Sequence, residues 1–236
     1  MQHYLPINHT NISGTKHFEA NTTGSAFYTS TGNLYNGNIK SMVVAIGKFM
    51  ENNNRPLGYA YQYDQLNRLV AANTWDNVNL SSNEWSSSGA ALADYQNHFT
   101  YDANGNILTQ LRKGSTASGL DMDNLTYKYA TGTDLNNRLL YVDENSSISN
   151  SAYADDIDDQ ATGNYDYDKI GNLIKDVQEE IANIEWTAYG KIKRITRTPL
   201  SVKPDLEFEY SPDGHRICKI VKPKTGLRLW KYTYYV

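Results

Sequence analysis

Only one cysteine, Cys218, occurs in 236 residues. That excludes an internal disulfide and leaves no oxidising-compartment signature in the chain itself. Cys218 sits where a returning strand is expected and reads as a small buried hydrophobe rather than a nucleophile. His215, close by in a turn, reads as solvated. Long apolar runs are missing too. Met42-Val-Val-Ala-Ile46 falls far short of the ~20 residues of a spanning helix and fits a buried strand. Met1-Gln-His-Tyr-Leu-Pro-Ile-Asn8 lacks the basic start and apolar centre of a signal peptide, so secretion would need a signal this chain does not show.

The frames that usually carry chemistry are absent as well. There is no Gly-x-Ser-x-Gly elbow, no Gly-x-Gly phosphate loop and no His or Cys pair at zinc spacing. His3, His9 and His17 are scattered through an irregular terminus. Asp155-Asp-Ile-Asp-Asp159 puts Ile157 where a calcium loop needs an oxygen ligand, so it reads as a solvated acidic loop. Glu179-Glu180 and the Asp166/Asp168 pair stay open as acid and base, although Asp168 already has a place at a turn corner. The expectation is a chain that is no enzyme and holds no cofactor or metal.

Charge excludes less. The net charge is −4, yet eleven of the 22 Lys and Arg follow Gly190, against four acidic residues there. These basic residues alternate along strands without a dense cluster, which fits a solvated sheet face and not a nucleic-acid surface.

What the chain does have is tyrosine, 19 against 5 phenylalanines, arranged in a repeat. An aromatic alternation runs into a tight turn in Tyr59-Ala-Tyr-Gln-Tyr63-Asp64-Gln-Leu-Asn67-Arg68-Leu69 and again in Phe99-Thr-Tyr101-Asp102-Ala-Asn-Gly105-Asn106-Ile107. Looser versions follow at Tyr127 to Leu139, Tyr165 to Leu173, Trp186 to Ile192 and Phe208 to Ile217, and another begins at Trp230-Lys-Tyr232-Thr-Tyr234. The last aromatic before each turn serves as an anchor: Tyr63, Tyr101, Tyr129, Tyr167, Trp186 and Tyr210, separated by 38, 28, 38, 19 and 24 residues.

Each turn residue has a physical reason. Asp at the first corner (Asp64, Asp102, Asp168) can accept a backbone hydrogen bond from two residues on. Gly105, Gly171, Gly190 and Gly214 can take positive φ without a Cβ clash, and Asn67 and Asn137 substitute because Asn tolerates that region. The pattern is a type I turn closed by a left-handed residue, hence a β-hairpin. Tyrosine fits an aromatic-rich sheet, because a large ring is buried while its hydroxyl keeps a partner.

These residues resemble the YD-repeat, or RHS-repeat, proteins of bacteria and their animal relatives the teneurins, whose repeat reads roughly Tyr-x-Tyr-Asp-x-x-Gly-Arg/Asn-Leu. Tyr63-Asp64 with Arg68-Leu69, Gly105-Asn106 and Gly171-Asn172 carry the likeness, and Leu34-Tyr-Asn-Gly-Asn-Ile39 extends it to roughly residues 34–236. The Trp186 to Gly190 turn departs by lacking Asp, and the Tyr129 turn by an insertion before Asn137. The resemblance implies a curved, spiralling antiparallel sheet that, in bacterial members related to Tc toxin shells, encloses a toxic C-terminal segment. The Asp-Pro-x-Gly-Arg motif linked to self-cleavage in many such proteins does not occur here.

The expected fold is all-β, consecutive antiparallel hairpins in one curved sheet over residues 33–236, after an irregular segment at 1–32. Polar insertions are expected at 77–90, 114–123 and 145–163, and Pro56 should bound a strand. Asp176 to Ile184 could be a helix or a hairpin turning at Glu179-Glu180; the hairpin keeps the repeat in phase. The likeness implies a secreted or cell-surface location within a longer protein. It also implies partnership with further repeats and an enclosed toxin, the chain reading as one piece of such a shell. Open sheet edges at 34–44 and 230–236 should favour self-association. The alternative is a glycan-binding module in which Tyr59, Tyr61, Trp75, Trp85 and Tyr95 stack sugar rings. A closed propeller would need a steadier period.

Overall fold

The computed structural model describes residues 34, 36–44, 56–76, 78–79, 84–85, 91–116, 119–131, 137–145, 153, 157–225 and 229–235. The segment at 1–32, with His3, His9 and His17, lies outside them, as do parts of the insertions and the side chain of Trp85.

Sixteen strands and no α-helix make up the described structure. They are β1 (Ser41–Val44), β2 (Leu57–Tyr63), β3 (Leu69–Trp75), β4 (Val78–Asn79), β5 (Glu84–Trp85), β6 (Leu92–Tyr101), β7 (Ile107–Lys113), β8 (Asp121–Tyr129), β9 (Leu139–Glu144), β10 (Tyr165–Tyr167), β11 (Leu173–Asp176), β12 (Ile181–Trp186), β13 (Ile192–Arg197), β14 (Asp205–Tyr210), β15 (Arg216–Lys222) and β16 (Lys231–Tyr234). One sheet runs β1-β2-β3-β6-β7-β8-β9, a second runs β10 to β16 in chain order, and β4 pairs with β5. The all-β hairpin reading holds, with the backbone ladder divided in two where the 145–163 segment intervenes. No described helix is long and apolar enough to cross a membrane.

The chain divides into two compact units, Met1–Thr126 with Glu144–Ile157 and Tyr127–Asp143 with Asp158–Val236. In the first, Ala60, Ala71, Ala72, Trp75 and Leu125 are buried. The buried hydrophobic residues of the second are Val142, Ile181, Ile184, Cys218 and Ile220. Few large aliphatics are involved, so tyrosines fill much of the remaining packing: Tyr59 and Tyr61 stack with ring centroids 6.5 Å apart, and Phe99 and Tyr101 at 6.4 Å.

The first unit also holds an ion pair whose carboxylate is buried. Asp123, 1% exposed, faces Arg112 across the β7–β8 ladder and takes its guanidinium. Nearby, Gly114 is required by a close approach rather than by its dihedrals: a Cβ there would fall 1.7 Å from the Tyr153 hydroxyl. That hydroxyl accepts the Ser115 amide at 3.0 Å and donates to the Gly119 carbonyl at 2.9 Å, pinning the loop between β7 and β8.

Residues 176–184 form a hairpin, and the reason is Asn164, which is 2% exposed. Its carbonyl takes the Val177 amide, its side-chain oxygen takes the Gln178 amide at 2.7 Å, and its Nδ2 donates to Asp176. With these amides held, Glu180 closes the turn at φ 55 and β12 returns.

Candidate functional site

The turns repeat one geometry. In β2–β3 the Asp64 Oδ1 accepts the Leu66 and Arg68 amides, both at 2.9 Å. Asp102 in β6–β7 accepts Asn104 and Asn106 at 2.9 and 2.8 Å, and Asp168 in β10–β11 accepts Ile170 and Asn172 at 3.0 and 2.8 Å. Each Oδ2 is taken by the side chain four residues on, Arg68, Asn106 or Asn172. Positive φ closes the turns at Asn67, Gly105, Asn137, Gly171, Gly190 and Gly214. The ladder shifts register beside Tyr63, Tyr101, Tyr167, Trp186 and Tyr210, the bulge that a type I turn with a left-handed closing residue produces. Where Asp is lacking, Thr187 Oγ1 takes the Lys191 amide at 3.1 Å, and Ser211 holds the corner before Pro212.

Changing Gly105 or Gly214, at φ 93 and 83, to valine is expected to cost about 2 kcal/mol, since a β-branched side chain resists this region. An unchanged urea midpoint would reject the assignment.

The turn carboxylates also set an acid limit. The Arg68 amide leads the causes that hold Asp64 below the ordinary carboxylate range; the Asn106 side chain does so for Asp102. For Asp168, burial pulls upward and the Asn172 and Ile170 contacts outweigh it. A depressed folded pKa gives stability that is present above the unfolded value of ~4 and lost as pH falls through the folded one. Melting temperature should therefore drop from pH 5 toward pH 2.5, and Asp102→Asn with Asp168→Asn should flatten that slope. An equal slope in the double variant would count against it.

Sequence reasoning missed what the anchors do. Tyr101 donates its hydroxyl to the Leu69 carbonyl at 2.6 Å, Tyr167 to Leu139 at 2.8 Å, Tyr210 to Ile192 at 2.8 Å and Tyr63 to Ile39 at 2.9 Å. Trp186 does the same with its indole N–H, to Leu173 at 2.8 Å. Leu69, Leu139, Leu173 and Ile192 each open the return strand of the preceding repeat, and Ile39 lies just ahead of β1, so these five anchors are rungs joining one hairpin to the next. A signal was available: all six anchors are Tyr or Trp, which carry a donor, while within the repeats Phe stands only two residues before an anchor, at Phe99 and Phe208. Arginine before the closing Leu adds a second tie. Arg68 reaches the Asp102 carbonyl at 2.9 Å and lies 4.6 Å over the Tyr101 ring; Arg138 reaches the Asp168 carbonyl at 3.1 Å.

The candidate stacking aromatics whose side chains are described differ in exposure. Trp75 is 6% exposed in the core and Tyr59 and Tyr61 are half-buried on β2. Burial, then the neighbouring Tyr95, pushes the Tyr59 hydroxyl up. Tyr95 itself is 46% exposed at φ 57. Cys218 is buried, and burial pushes its thiol up. His215 is exposed, 3.8 Å from Asp213. Among the described residues no cluster of His, Cys, Asp and Glu is arranged to hold a metal ion.

No protein-family model and no curated protein sequence matches the chain. Among solved structures it is similar to the Tc holotoxin pore of Photorhabdus luminescens, at 15% identity and a TM-score of 0.34, over 76% of this chain. The chain spans 11% of the length of that one.

Proposed function

We propose that this chain is a non-catalytic wall segment of a YD-repeat shell, which in a longer protein encloses or displays a toxin or effector segment at the cell surface or outside the cell. One observation carries the reading: the motif's polar groups are committed to the wall itself. Each described Asp of the motif holds its own turn, and the anchor donors of Tyr63, Tyr101, Tyr167, Trp186 and Tyr210 hold the neighbouring hairpin. Its partners would be further repeats and the enclosed segment. Electron cryomicroscopy of the full-length gene product containing this chain should show the hairpins as a wall around enclosed polypeptide. A free-standing sheet with solvent on both faces and nothing enclosed would overturn the reading.

The isolated chain should also self-associate. At the edge of its sheet β16 exposes Tyr232 and Tyr234, stacked at 6.4 Å, beside Trp230, with neither a bulge nor a proline to guard it. A monomer throughout a concentration series in light scattering would count against this.

A further inference from the structure

We infer that the junction between β9 and β10 is a separable seam, able to open while the ladders on either side stay closed. β10 and all of β9 but Glu144 lie in the second unit, yet the two strands belong to different sheets. The register elsewhere sets the expected pairing. The Ala71–His98 and Arg194–Glu207 pairings place anchors Tyr101 and Tyr210 opposite the residues before their acceptors, Arg68 and Lys191. By the same count Tyr167 falls opposite Arg138, and Val142 should face Gly163. It faces Gln160 instead, an offset like that at β3–β6, where the register shifts between Ala72 and Thr74, but here without a continuing ladder.

Gln160 acts there as a one-residue strand. Its backbone N–H donates to the Val142 carbonyl at 3.0 Å, and its side-chain Oε1 accepts the Val142 N–H at 2.9 Å. One residue thus supplies both hydrogen bonds that a neighbouring strand would make. Its Nε2 donates to the Tyr165 hydroxyl at 2.9 Å, tying the bridge to β10. Val142 is 2% exposed and Gln160 9%, so both Val142 groups depend on this bridge. Toward the turn the junction is completed by the Tyr167 rung to Leu139 and by Arg138, which lies 5.8 Å over the Tyr167 ring while bonding Asp168.

β11–β12 and β13–β14 share only one and two paired positions, and the contrast in cooperativity is with the long hairpin ladder of the unit. β14 and β15 share six consecutive paired positions, so separating them breaks a ladder. The bonds described at the seam are those of the Gln160, Tyr167 and Arg138 side chains, which can leave by rotamer changes, and the single backbone bond from Gln160 to Val142. Partial openings of this kind proceed at lower free energy than global unfolding. If the chain is a shell wall, and this step alone rests on that reading, the seam is the line along which the wall parts to admit or release polypeptide.

Site-resolved amide exchange on the whole chain tests the seam without any cargo, so its outcome is independent of the shell reading. The Val142 and Gln160 amides should exchange at least tenfold faster than the protected amides of β15. Gln160→Met, which keeps length and removes both side-chain bonds, should speed Val142 about tenfold further while β15 changes less than twofold. Wild-type Val142 and Gln160 exchanging in step with β15 would overturn the inference, and so would uniform acceleration across the unit in the variant. Should Gln160→Met fail to fold, the wild-type comparison still decides.

Discussion

A chain with Tyr63, Tyr101, Tyr167 and Tyr210 all changed to phenylalanine is expected to lose about 4 kcal/mol of folding free energy. The four substitutions keep every ring and remove only the hydroxyls, so apolar burial is held constant and the loss isolates the rungs. A hydrogen bond contributes about 0.5–1.5 kcal/mol net, and the four acceptors, Ile39, Leu69, Leu139 and Ile192, are separate carbonyls, so their effects should add. In melting temperature this corresponds to roughly 8–16 °C for a chain of this size. Tyr189→Phe at an exposed turn tip is the control and should change stability by less than about 0.5 kcal/mol. A fourfold variant within 1 kcal/mol of wild type would show that the anchors act by packing alone.

The rungs also show where sequence reading stops. Turn geometry was legible because it is local: Asp102, Gly105 and Asn106 lie within five residues, and their backbone requirements are the same in any protein. The hairpin at 176–184 was legible through the phase of the repeat, although its cause, Asn164, lies 12 residues before Asp176 and has no local signature. The rung acceptors were not legible at all. Tyr101 and Leu69 are 32 residues apart, and only the pairing of β3 with β6 brings them together. The donor chemistry of the anchors was visible in the sequence, but its target required the register. The exposure of the candidate stacking aromatics was illegible for another reason. Composition marks Trp75 and Tyr59 alike, whereas the strand face that each occupies decides that one is core and the other half-buried.

Among single changes in the first unit, Arg112→Met should do the most damage, about 3–5 kcal/mol. Asp123 is 1% exposed, its second oxygen is buried without a hydrogen bond, and Arg112 is its salt-bridge partner. Removing the guanidinium leaves a buried carboxylate with its charge uncompensated. The same reasoning predicts a reversal that simple contact loss would not. Replacing both members, Arg112→Met with Asp123→Leu, removes the stranded charge as well as the pair, and should restore stability to within about 1 kcal/mol of wild type, because burying an ion pair gains little over well-packed apolar groups. Urea unfolding of wild type, both single variants and the double closes the cycle. A double variant as unstable as Arg112→Met alone would mean that the pair is needed for the β7–β8 register itself. Rescue would mean that the pair is tolerated in the core, and that ladder and rungs hold these strands.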